Sequence, residues 1–102
     1  MGLNSGFLRE FIELKKRGVF IGPSAVVEIG AQQLSNDFLR SVDLINETFA
    51  IFGRAPVPLG EPIASEIVHG VELQSEKNPS SREFWKSIGF TYTAIEFDGH
   101  RD

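Results

Sequence analysis

VVEIGAQQ, residues 26–33, is the stretch on which the fold turns. Three β-branched apolar residues, Val26, Val27 and Ile29, surround one acid, Glu28, and Gly30 closes the run. With Ala25 they predict a strand over 25–29. The run is nearly all apolar, and such runs suit a strand buried on both faces, as in a parallel sheet. A glycine just past the strand lets the chain turn sharply and lets its backbone approach a ligand closely. One glycine alone is equally the end of an ordinary strand, so the neighbouring segments have to decide.

On the N-terminal side, Phe7, Leu8, Phe11, Ile12 and Leu14 recur at helical spacing. They predict a helix over 5–17, with Ser5 as its N-cap and Gly18 as its stop. The basic run Lys15-Lys16-Arg17 then sits at a solvated helix end, where cations suit the macrodipole. On the C-terminal side, Phe38, Leu39, Val42, Leu44, Ile45, Phe49 and Phe52 predict one helix over 36–52, capped by Ser35 or Asn36 and stopped by Gly53. RAPVPLGEP (54–62) carries three prolines and a glycine and reads as a loop or extended segment. Residues 63–76 fit a short helix through Ile63, Ile67, Val68 and Val71, or a strand at Val71-Glu72-Leu73.

Ser80–Ile88 predicts a further helix, with Ser80 and Glu83 at capping-box spacing and Phe84, Trp85 and Ile88 on its apolar face. Gly89 stops it, and FTYTAIEF (90–97) reads as a second strand. A strand, a long helical crossover and a second strand make a βαβ unit. The expected fold class is therefore α/β: a partial Rossmann-like parallel sheet in a single incomplete domain over 1–102, with an insertion around 53–79.

Charge and composition narrow the function. The 102 residues are enough for one domain, and the net charge of -4 argues against a nucleic-acid partner, which needs clustered Lys and Arg. The chain has no cysteine, which excludes disulfides, thiolate nucleophiles and thiolate metal sites. No apolar run approaches the length of a membrane span, and no secretory signal precedes the first helix. MGLNSG lacks the hydroxyl residue that myristoylation wants in sixth place, since Gly6 stands there. A cytoplasmic location is the expectation.

The two strands together resemble the class I S-adenosylmethionine-dependent methyltransferases. That family's first motif runs apolar-apolar-acid-apolar-Gly-x-Gly-x-Gly, and VVEIGAQQL matches it at Val26, Val27, Glu28, Ile29 and Gly30. Gln32 and Leu34 stand where the second and third glycines would be. YTAIEFDG is similar to the family's second motif, in which an acid ends the second strand and holds ribose; Glu96 takes that place. The resemblance covers about residues 19–30 and 89–99, and Glu96 lies 66 residues beyond Gly30 where a compact unit has roughly 20.

The resemblance implies that Glu28 and Gly30 shape the cofactor turn, Ala31 and Gln32 line it, and Glu96 binds ribose. The implied cofactor is S-adenosylmethionine and the implied chemistry is methyl transfer. Family members carry further strands, so the resemblance also implies an N-terminal portion that is inactive alone. Unpaired edges of a two-strand sheet are a pairing liability, and the expected partner is a second copy or a completing chain. Two other readings stay open: a non-catalytic interaction module that uses its open sheet edge, and another nucleotide-binding Rossmann enzyme, such as an NAD-dependent oxidoreductase.

The remaining constellations are weaker. Glu96, Asp98, His100 and Asp102 alternate as metal ligands on a strand could, but Asp98-Gly99 is a turn signal. His69 fits a loop or helix end. No Gly-x-Ser-x-Gly nucleophile elbow occurs. Trp85, with Phe84 and Phe90, fits the core better than a base-stacking platform.

Overall fold

The strands predicted at the two ends of the crossover are parallel neighbours. In the computed structural model, which describes residues 2–20, 24–30, 32–62, 66–69, 71–73 and 78–95, the elements run β1 (Gly2–Leu3), α1 (Ser5–Lys16), β2 (Ala25–Ile29), β3 (Gln33–Leu34), α2 (Asn36–Arg40), α3 (Val42–Ile51), β4 (Glu66–Val68), β5 (Val71–Leu73), α4 (Ser81–Ser87) and β6 (Thr91–Ile95). β2 pairs with β6 in parallel, from Ala25 opposite Thr91 to Ile29 opposite Ile95. Backbone bonds from Thr91 to the Ser24 carbonyl and from Gly30 to the Ile95 carbonyl extend the ladder at both ends. The second strand begins at Thr91, one residue later than the reading of 90–97, and Glu96 and Phe97 lie outside the described residues.

Because strand side chains alternate between faces, this register puts Val26 and Glu28 beside Tyr92 and Ala94, and turns Val27 and Ile29 the other way. Val26 and Tyr92 pack on the core, and Ala94 is fully buried. Val27 and Ile29 are 58% and 67% exposed. The expectation that this strand is buried on both faces is therefore corrected. The described residues lay a helical layer against one face of the pair only, and a β-branched run alone does not reveal that.

The helices follow local chemistry, with three corrections. α1 is capped by Asn4, not Ser5: the Asn4 side chain accepts from the Phe7 amide at 3.0 Å, and Ser5 is the first helical residue. The helix expected over 36–52 is two helices. The Ser41 hydroxyl donates to the Asp37 carbonyl at 2.7 Å, the acceptor that the Ser41 amide would take in a continuing helix. That amide bonds Phe38 instead, ψ of Ser41 swings to 61°, and α3 starts afresh. In α4 the Ser80 hydroxyl accepts from the Arg82 amide, so the cap forms one residue short of the expected capping-box bond to Glu83.

The helix ends behave as expected. At the end of α4 the Phe90 amide bonds the Trp85 carbonyl and the Gly89 amide bonds that of Lys86, a Schellman motif in which Phe90 also packs on Trp85 at 5.1 Å. α1 and α3 end in the same way at Gly18 and Gly53. Lys15 and Lys16 occupy the last turn of α1, where Lys16 meets Glu47 of α3 at 2.6 Å.

Within the ambiguous segment, Glu66–Val68 and Val71–Leu73 pair as an antiparallel hairpin, β4 and β5, so the strand reading of Val71-Glu72-Leu73 holds and Ile67, Val68 and Val71 are not helical; Ile63 lies outside the described residues. His69 lies between the paired Val68 and Val71 with φ of 52°, as a tight hairpin turn requires. In the proline-rich segment, Gly60 has φ of 100°, and a Cβ there would lie 2.6 Å from Pro79 Cγ, so only glycine lets the two segments meet.

Aromatic rings hold these pieces together. Phe11 of α1 stacks on Phe7, Phe20 and Phe52 at 5.4–5.5 Å and meets Trp85 edge-on at 5.3 Å. Phe84 lies edge-on to Phe38 at 5.1 Å. Leu8, Leu34, Leu39, Phe49, Leu59 and Ile88 fill the space around them. Such ring pairs add about 0.5–1.5 kcal/mol each beyond the area they bury.

Phe11→Ala is expected to lower unfolding free energy by about 3–5 kcal/mol, read by urea denaturation, a large part of a small domain's stability. A second outcome concerns acid. The Ser5 hydroxyl and amide, hydrogen-bonded to the Asp37 carboxylate, hold its pKa below the ordinary carboxylate value. A group whose folded pKa is depressed stabilises above its unfolded pKa and loses that contribution as pH falls through the folded one. Asp37→Asn should therefore flatten the acid limb of the stability profile below about pH 4, where chemical denaturation at several pH values reads it.

Candidate functional site

Glu28 sits near the C-terminal end of β2, on the face turned to the helices, and its carboxylate gathers donors from three directions. Oε1 accepts from the Ser81 hydroxyl and the Tyr92 phenol, each at 2.8 Å, and from the Gln32 amide at 3.2 Å. Oε2 accepts from the Trp85 indole N–H at 3.2 Å. All four donors are neutral, three on Oε1 and one on Oε2. Among the described residues, the half-buried carboxylate is thus met by hydrogen-bond donors alone. Ser81 and Trp85 share a face of α4, four residues apart, and Tyr92 lies two residues ahead of Ala94, the β6 partner of Glu28. Trp85 is a core ring, as expected, and also a donor.

Gly30 turns the chain with φ of 75°. Its amide is spent on the Ile95 carbonyl at 2.6 Å. Gln32 is tied at three points: its amide to Glu28, its carbonyl to the Ser81 amide at 2.9 Å, and its side-chain Nε2 to the Gly30 carbonyl at 3.2 Å. The Leu34 amide bonds the Pro79 carbonyl at 2.8 Å. Leu34 itself is fully buried in the core, which explains an apolar residue where the motif would have glycine.

The turn is also bolted from behind by a residue the sequence marked only as a turn signal. Asn78, buried, donates to the Leu34 carbonyl at 2.9 Å and to Asn36 Oδ1 at 2.7 Å. Thus the C-terminal end of the segment 53–79 is fastened to the turn. No local pattern announces this, because the partners lie 42 and 44 residues away.

Of the sequence-predicted site residues, Glu28, Gly30 and Gln32 come together; Ala31 and Glu96 lie outside the described residues, as do His100 and the alternating acids of the tail. A separate open cavity of about 280 Å³ is lined by Arg9, Arg40, Ser41, Val42, Asp43 and Leu44, at the joint between α2 and α3. After the Ser5 hydrogen bonds, both arginines add to the lowering of the Asp37 carboxyl. None of the sequence-predicted residues lines this cavity.

Chemically, an acid so fully engaged is a fastening rather than a free base. It sets the path of the turn, and a ribose-binding acid would have to come from elsewhere. Glu28→Gln puts an amide N–H₂ against a donor that had an acceptor. It should cost about 2 kcal/mol in urea unfolding, whereas Tyr92→Phe, which removes one hydroxyl, should cost about 1 kcal/mol.

No family model matches the chain, and neither does any curated protein or solved structure.

Proposed function

We propose that this chain is the N-terminal portion of a Rossmann-like S-adenosylmethionine-dependent methyltransferase domain. The reading keeps β2 and β6 as the two strands whose C-terminal rim holds the nucleoside. The observation that carries it is the state of the turn amides. A loop that cradles phosphate needs free N–H groups aimed at the ligand. Here the amides of Gly30, Gln32 and Leu34 all donate within the chain. Such a turn suits a nucleoside without phosphate better than a dinucleotide, which favours S-adenosylmethionine over NAD.

In this reading Gly30 and Gln32 present the turn, Ala31 lines it, and Glu96 accepts the ribose hydroxyls. When bound, the cofactor would supply the methyl group; the chain's part is to position it. Calorimetric titration with S-adenosylhomocysteine is expected to give saturable heat and NAD none; the reverse would transfer the site to a dinucleotide enzyme. Glu96→Ala should weaken binding by about 2 kcal/mol through two lost charge-assisted hydrogen bonds, and unchanged affinity would remove Glu96 from the site.

A second reading is favoured by the exposed Val27 and Ile29: a non-catalytic module that associates through the uncovered face and edges of β2–β6, with a second copy or a completing chain. Sedimentation velocity across micromolar concentrations tests the first of these partners, and a monomer throughout would remove it.

A further inference from the structure

We infer that Ser81, Trp85 and Tyr92 are positioning residues for the candidate turn, acting through Glu28. The inference rests on the nucleoside reading of that turn and adds the group of side chains that sets the turn's shape.

Each of the three donors reaches the same carboxylate from an element outside the turn, and that carboxylate holds the Gln32 amide. Ser81 is fully buried and Trp85 is 5% exposed, so neither is in water's reach to exchange its bond for a solvent one. α4 grips the same loop a second time, through its Ser81 amide on the Gln32 carbonyl. The Gln32 backbone is therefore clamped on both sides, by an acid that α4 and β6 hold and by the first amide of α4. Glycines at positions 32 and 34 would leave such a turn free to take several paths, at an entropic cost on binding. In this chain those positions are Gln32 and Leu34, and the clamp does the preorganising.

The partition of roles follows. Oε1 of Glu28 takes three donors from the chain and Oε2 takes the Trp85 indole, so the carboxylate acts on the turn and not as the ribose acceptor. Trp85 is the only tryptophan in the chain, and its indole shares the carboxylate with the turn. Its emission should therefore respond when the turn is occupied.

The test uses the full chain and S-adenosylhomocysteine, with calorimetry and Trp85 emission read well below each variant's melting temperature. For the wild type, saturable binding with a change in emission is expected. Tyr92→Phe and Ser81→Ala should each weaken binding about tenfold, the value of one hydrogen bond to a charged acceptor, while melting stays cooperative. In Glu28→Gln/Tyr92→Phe the loss should not exceed that of Glu28→Gln alone, because both changes act through one carboxylate. A merely structural role would lower melting temperatures yet leave the affinity of the folded protein and this non-additivity unmoved. Wild-type binding with equal affinity in the folded variants, or fully additive losses, overturns the inference and leaves the nucleoside reading standing. Absence of wild-type binding overturns both. Where one variant fails to fold, the other carries the comparison.

Discussion

The carboxylate of Glu28 is the interaction from which the rest of the structure can be understood. It joins the end of β2 and the turn after it to α4 and β6, more than 50 residues further along the chain. An ion in this half-buried position would be a liability if any of its oxygens faced apolar surroundings unpaired. Its tolerance depends on a complete set of donors. That requirement couples the register of the β2–β6 pair to the placement of α4. If β6 slipped by one residue, Tyr92 would turn to the other face and one donor would be lost.

The polar fastening and the aromatic core divide the labour. The rings of Phe7, Phe11, Phe20, Phe52, Phe84, Trp85 and Phe90 draw α1, the end of α3 and α4 together through apolar burial, which is strong but not directional. Hydrogen bonds to Glu28 and from Asn78 supply direction, at a smaller net gain of about 1 kcal/mol each. Trp85 belongs to both systems, with its ring in the core and its N–H on the carboxylate. The outer face of β2, with Val27 and Ile29, belongs to neither. A parallel pair is ordinarily covered on both faces, and here Val27 and Ile29 on the outer face stay more than half exposed.

Much of the local architecture was legible. The strand at 25–29 and the glycine stops of α1, α3 and α4 follow from β-branching and from helical spacing broken by Gly. The misreadings have local causes too. Asn4 and Ser5 are both competent caps, and only the path of the entering chain chooses between them. Ser41 sits inside an unbroken apolar pattern, so periodicity gives no sign that its hydroxyl takes the Asp37 carbonyl. Of the candidate site, the sequence reached Glu28, Gly30 and Gln32 by motif but assigned them to a ligand, without seeing how much of their hydrogen bonding the chain itself consumes.

From sequence alone came the helices α1 and α4, the strands β2 and β6 with a helical crossover between them, and the glycine turns, because these depend on side-chain periodicity and backbone freedom over a few residues. Tertiary structure alone decided that Glu28 is held by Ser81, Trp85 and Tyr92, that Asn78 bolts the turn, and that Val27 and Ile29 stay exposed. Those facts are relations between residues some 40 to 60 positions apart. Hydrogen-bond partners at that separation are chosen by packing, and no pattern within a helix or strand carries the information.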